Sequence, residues 1–130
     1  MTSLLLALML AAQDPLIRSA ERIASAWQRH DFAAILTAGS DVTVVLPGAA
    51  RSAPLAPAQA VEVLRAFTDG ARDEEIRVSL VRTVGEGRAY VELDRQFAPR
   101  GTPDRDRHTI YLELRRTDGG FRVVEIRVVP

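Results

Sequence analysis

A chain of 130 residues with 47% hydrophobic and 26% charged side chains carries enough apolar material for one core of ordinary size and too little for two, which excludes a disordered chain and a multidomain one. Seventeen acidic residues balance seventeen basic ones, all of them arginine, to a formal net charge of zero, and no basic stripe or acidic tail breaks that balance. Nucleic acid and anionic membrane surfaces are therefore not expected as partners. Cysteine is absent, so disulfides, thiol nucleophiles and thiolate metal sites are excluded together. His30 and His108 are the only imidazoles, far apart and without the HExxH spacing, so no metal site and no cofactor is expected.

The segment 1–13 contains the apolar run Leu4 to Ala12. It is too short to span a bilayer, which argues against stable membrane insertion, but it suits the hydrophobic region of a secretory signal. Ala11 and Ala12 supply small residues for processing between Ala12 and Asp14. The segment lacks the basic start usual for such signals. The expectation is an exported protein, periplasmic or secreted, with one mature domain over residues 14–130.

Asp14-Pro15 reads as an N-cap followed by proline at the first helical position, and Leu16, Ala20, Ile23, Ala24 and Trp27 then fall on one face of a helix ending near Arg29. Asp31 caps a short second helix with Phe32, Ile35 and Leu36 apolar and Gly39 as its stop. Val42 to Leu46 is a strand closed by the turn at Pro47-Gly48. Pro57 opens a third helix whose Ala60, Val63, Leu64 and Phe67 share a face, and Gly70 ends it.

The second half is all strand. Gly85-Glu86 suits a two-residue hairpin turn that pairs Leu80 with Val91, Val78 with Leu93 and Arg77 with Asp94. Asp118-Gly119-Gly120 as a three-residue loop pairs Leu114 with Val124, Leu112 with Ile126 and Ile110 with Val128, whereas a one-residue slip would turn every apolar side chain outward. Between these hairpins runs the loop Ala98 to Asp106, and apolar alternation matches Leu93 to Leu112, which sets Phe97 opposite His108. One face then holds Ile76, Val78, Leu80, Ala89, Val91, Leu93, Ile110, Leu112, Leu114, Val124, Ile126 and Val128. The three helices must cover it, giving an α+β fold. The other face carries Tyr90, Tyr111 and the row Glu92, Glu113 and Glu125, flanked by Arg77, Arg115 and Arg127.

Helix, helix, strand, helix and four strands, with HDFAAIL at the second helix and a strand running into Leu46-Pro47-Gly48, resembles the nuclear transport factor 2-like superfamily. Gln59-Ala60, Val63 to Phe67, and Phe121-Arg122-Val123 to Ile126-Arg127-Val128 look like a small family of exported bacterial domains of unknown function. The likeness covers roughly residues 14 to 129, although Ala49 to Ala56 is longer than that pattern. It implies a bent antiparallel sheet forming a cone around three helices, a cavity at its open end, and frequent dimerisation. Fold alone does not give function.

Enzymes of that superfamily place an Asp, a His or a Tyr inside the cone as base or oxyanion donor. The inward parity of the four long strands contains none of the first or last; its polar members are Arg82, Arg95 and His108. A base would have to be His108, Asp31 or Glu21. The candidate ligand site is therefore Arg95, Phe97 and His108 at one end of the cone, with Trp27 and Asp31 from the helices, and Asp31 or Glu21 is the expected counter-ion of Arg95. A non-catalytic module binding a small ligand or a partner protein is the favoured function. The alternative is a small lyase or isomerase with His108 or Asp31 as base. A homodimer through the outer sheet face would supply opposite charge to the glutamate row.

Overall fold

The computed structural model describes residues 14–36 and 40–130. The apolar run, its processing site and the Gly39 stop lie outside them. Helix α1, Pro15–Gln28, starts where the local chemistry demands: Asp14 Oδ1 accepts from the Leu16 and Ile17 amides at 3.0 and 3.2 Å, and Pro15 has no amide to satisfy. Leu16, Ala20, Ile23, Ala24 and Trp27 are all buried. The helix closes in a Schellman motif, with the Asp31 amide donating to the Ala26 carbonyl and the His30 amide to the Trp27 carbonyl, both at 2.9 Å. His30 takes the left-handed position, at φ 55°, that glycine usually fills. Helix α2 is Phe32–Ile35, and Asp31 precedes it without making a side-chain capping bond. The cap expected of that carboxylate is therefore absent.

Strand β1, Thr43–Val45, and helix α3, Pro57–Thr68, follow. Gln59 Oε1 accepts from the Ala56 amide at 3.1 Å and steadies the α3 start. The long strands are β2 (Ala71–Thr83), β3 (Arg88–Pro99), β4 (Asp106–Thr117) and β5 (Gly120–Val129). They form one five-stranded sheet in the order β1-β5-β4-β3-β2, antiparallel throughout except that β1 adds to β5 in parallel.

Three registers differ from expectation, two of them through a turn length and a compensating bulge. The β2–β3 turn is Gly85-Glu86-Gly87, one residue longer than expected, with the Val84 amide donating to the Arg88 carbonyl and both glycines left-handed. A bulge at Ser79 absorbs the extra residue, so Val78 still faces Leu93 while Val81, not Leu80, faces Val91. Leu80 is consequently exposed and Arg82 joins the outer face beside Tyr90 and Tyr111. Neither belongs to the inner face assigned to it from alternation. At β4–β5 the loop is two residues, Asp118-Gly119, and a bulge at Val124 restores the pairing of Leu112 with Ile126 and Ile110 with Val128. Val123 rather than Val124 is buried against Leu114. In β3–β4, Leu93 pairs with Ile110, not Leu112, a shift of two residues that preserves every face but sets His108 opposite Arg95 and Asp106 opposite Phe97.

The concave face presents Ala89, Val91, Leu93, Ile110, Leu112, Leu114, Ile126 and Val128, all buried under the helices. Burial of each large aliphatic side chain contributes about 1.5–3 kcal/mol relative to exposure.

Candidate functional site

Among the described residues, the one buried ion pair inside the cone is built on a second β2 bulge, at Glu74. Simple alternation from Ile76 and Val78 would send Asp73 outward; the extra residue reverses its parity, and its side chain is only 1% exposed. Arg95, also 1% exposed, meets it from β3. Arg95 Nε donates to Asp73 Oδ1 at 2.7 Å. Nη2 lies 2.7 Å from the same oxygen but outside hydrogen-bond geometry. His30, set in its left-handed turn, donates from Nε2 to Asp73 Oδ2 at 2.8 Å, and Gln28 Nε2 donates to the Asp73 carbonyl at 3.0 Å. The end of α1 and the start of β2 are thus joined through one aspartate.

Across the β3–β4 pair, Arg95 Nη1 stands 3.0 Å from His108 Nδ1. A guanidinium only donates, so Nδ1 accepts and the imidazole proton must sit on Nε2. Burial, then the neighbouring Arg95 charge, lowers the His108 pKa from its ordinary value, partly opposed by Asp106 and Asp73. His108 is therefore neutral at pH 7. Its ring stacks on Phe67 with centroids 5.8 Å apart and tilts against Phe97 at 4.6 Å. The Arg95 guanidinium carbon lies 4.1 Å from the Phe97 centroid and 5.4 Å from that of Phe67, a favourable cation–π setting.

Of the residues expected at this end of the cone, Arg95, Phe97 and His108 are gathered here. Trp27 is fully buried, edge-on to Phe32 at 5.1 Å, with its indole Nε1 lacking a partner. Asp31 is not brought to the cluster: its side chain is half-exposed and pairs with Arg29 at 4.0 Å. Glu21 is exposed on α1. The Arg95 counter-ion is Asp73 instead of either carboxylate, because the bulge at Glu74 supplies one from the adjacent strand. Asp73 and His30 are the members that residue patterning misses. The one available sign was a helix end at His30-Asp31 with no glycine to take the left-handed turn.

On the convex face the glutamate row is largely answered within the chain. Arg88 donates to Glu113 at 2.7 Å, Ser79 Oγ to Glu92 at 2.9 Å, and Arg51 and Thr43 hold Glu125. Leu80 and Tyr111 are exposed there, and shallow depressions of about 440 and 320 Å³ border Tyr90 and Tyr111. Among the described residues no three His, Asp or Glu side chains converge as metal ligands, and no helix is long and apolar enough to cross a membrane.

No family model and no curated protein matches the sequence. Solved structures do match its shape. A DUF4783 family protein from Bacteroides uniformis superposes with a TM-score of 0.68 at 13% identity, covering 83% of this chain and 93% of its own. A ketosteroid isomerase-like protein from Erwinia carotovora atroseptica gives 0.68 at 16% identity, over 88% and 92%. An LEH-like epoxide hydrolase from M. tuberculosis gives 0.61 at 19% identity, over 88% and 80%. The chain has the nuclear transport factor 2-like fold, an α+β cone shared by proteins of unknown function and by enzymes.

Proposed function

We propose that this domain is a non-catalytic module whose cone binds a small ligand, or an apolar segment of a partner protein, at the end marked by Arg95, Phe97 and His108, with Trp27 in the wall behind. One observation carries this: among the described residues, the two candidate bases inside the cone, Asp73 and His108, are both committed to Arg95. Both Asp73 oxygens accept, one from Arg95 and one from His30, and His108 Nδ1 accepts from Arg95. A general base needs a free lone pair within reach of the substrate proton. What His108 offers outward is a donor.

The lyase or isomerase reading keeps one point in its favour, the buried carboxylate that the cone does contain. Exchange of the α-protons of a methyl ketone in deuterated buffer separates the two. Ketone binding without exchange above the buffer rate supports the module. Exchange that is lost in His108→Phe would establish catalysis and overturn it.

Two further properties belong to this proposal. Export rests on the run Leu4 to Ala12, and an intact Met1 on the bulk of the native protein, read by mass spectrometry, would defeat it. A homodimer through the outer sheet face rests on exposed Leu80 and Tyr111, since the glutamate row is balanced internally and exerts little demand for a partner's charge. Sedimentation as a monomer at high micromolar concentration would exclude that dimer.

A further inference from the structure

We infer that the hydrogen-bonded chain from His30 through Asp73 and Arg95 to His108 is an acid-operated latch: below neutral pH His108 lets go of Arg95 and of Phe67, freeing the last turn of α3, while α1 stays fastened to β2 through His30. The latch operates with or without a ligand in the cone.

The two histidines of this chain stand at opposite ends of one buried ion pair. His30 Nε2 faces an anion, Asp73 Oδ2, at 2.8 Å, and His108 Nδ1 faces a cation, Arg95 Nη1, at 3.0 Å. A proton therefore acts oppositely on them. On His30 it turns the bond to Asp73 into a charge-assisted one, which holds more tightly. On His108 it occupies the nitrogen that accepts from Arg95 and sets two cations against each other. The guanidinium is 1% exposed and bound to Asp73, whereas His108 is half-buried, so the imidazole is the group that moves.

The other charges nearby do not replace the lost bond. Asp73 is shared between Arg95 and His30, and Asp106 is exposed two residues earlier on β4. From α3 the Phe67 ring packs on His108, while Glu62 and Arg65 pair with each other in solvent at 3.1 Å and Asp69 is exposed. Around His30, Arg29 and Asp31 pair at 4.0 Å and Phe32 stacks on the ring at 5.6 Å. Burial and Arg95 hold the His108 pKa below its ordinary value, against Asp106 and Asp73, the sense required of a ring that is neutral when closed and charged when released.

The ring that leaves is the one stacked on Phe67 at 5.8 Å and tilted against Phe97 at 4.6 Å. Its departure takes from the last turn of α3 an aromatic contact with β4 and uncovers Phe97, otherwise buried. Behind that turn the chain stays pinned, since the Arg100 amide donates to the Gly70 carbonyl at 2.7 Å. The end of α3 thus loosens in front of a fixed hinge, without unfolding of the domain.

The test follows the full chain between pH 7.5 and pH 5 by side-chain ¹⁵N spectra of the two histidines and by amide hydrogen exchange, corrected for its intrinsic pH dependence. Exchange of the amides of residues 64–68 is expected to speed up about tenfold, the factor for one lost hydrogen bond, with the midpoint of the His108 titration. Residues 23–27 of α1 are expected to keep their protection. His30→Gln, which retains a donor for Asp73, should leave the α3 response in place, and His108→Phe, which keeps the aromatic contact and cannot titrate, should abolish it. Unchanged exchange in residues 64–68 across the His108 titration, a midpoint that follows His30, α1 opening together with α3, or a response that survives in His108→Phe would each overturn the latch. If His108→Phe does not fold, the native chain decides alone, because the His108 and α3 midpoints must coincide there.

Discussion

Asp73 Oδ1 lies 2.7 Å from both Nε and Nη2 of Arg95, and the two side chains are each 1% exposed. A pair so fully withdrawn from water is held by its mutual contact, and removing one partner leaves an uncompensated charge in the core. Asp73→Asn is expected to cost about 3–5 kcal/mol in urea unfolding. Combining it with Arg95→Met should restore much of that loss, because the stranded guanidinium is gone. A double variant no more stable than the sum of the single losses would show that the two residues do not act as a pair.

His30 holds a left-handed turn that glycine fills at less cost, and its ring is anchored on Asp73 at 2.8 Å. Ala and Gly at this position both lose the anchor, but only Gly relaxes the backbone. His30→Gly should therefore be more stable than His30→Ala by about 1 kcal/mol, the steric cost of a Cβ in that conformation. Equal melting temperatures for the two variants would contradict the turn described for residues 26–31.

His108 also gives the protein a pH signature. Its folded pKa is lowered, chiefly by burial and then by Arg95, so the unfolded chain takes up this proton at a higher pH than the native one. Stability then falls as pH drops below about 6.5, the unperturbed value, and levels off once pH passes below the folded pKa. The difference in unfolding free energy between the native protein and His108→Phe should change in that sense over the window and stay flat above it. A native protein that gains stability relative to His108→Phe on acidification would reverse the sign and refute the assignment.

The Ser79 bulge assigns neighbouring residues opposite roles. Leu80→Lys on the outer face should change monomer stability by no more than about 0.5 kcal/mol, as exposed substitutions do. Val81→Lys, which pushes an ammonium toward the core beneath α1, should cost about 1–3 kcal/mol. The reverse ranking in chemical unfolding would restore the unbulged register. Leu80→Lys should in addition dissociate the proposed dimer in sedimentation experiments.

Much of the fold was legible because the signals behind it are local. Asp14-Pro15 fixes the α1 start through amides two and three residues on, and the 3.6-residue stripe from Leu16 to Trp27 can face only one way. The period-two alternation of Val91 and Leu93, Ile110 and Leu112, or Ile126 and Val128 identifies the buried face whatever the strands pair with. The grouping of Arg95 and Phe97 followed from the same parity, since both extend the apolar series of β3.

The site's wiring was not legible, because it depends on where the alternation breaks. A bulge adds one unpaired residue at a point chosen by sheet twist and by packing against α1, and nothing in Asp73-Glu74-Glu75 or Val78-Ser79-Leu80 marks which residue is extra. The residue added at Glu74 brings Asp73 inward, the one added at Ser79 sends Leu80 and Arg82 outward, and with Asp73 inside, Arg95 needs neither Asp31 nor Glu21. The shift of two residues between β3 and β4 left no trace in the pattern either, because it keeps every side chain on its own face. It decides nonetheless that His108 meets Arg95, and so which of its nitrogens carries the proton. Residue chemistry and local period determined the elements and their faces; long-range pairing, set by the energy of the assembled sheet, decided which charges met inside it.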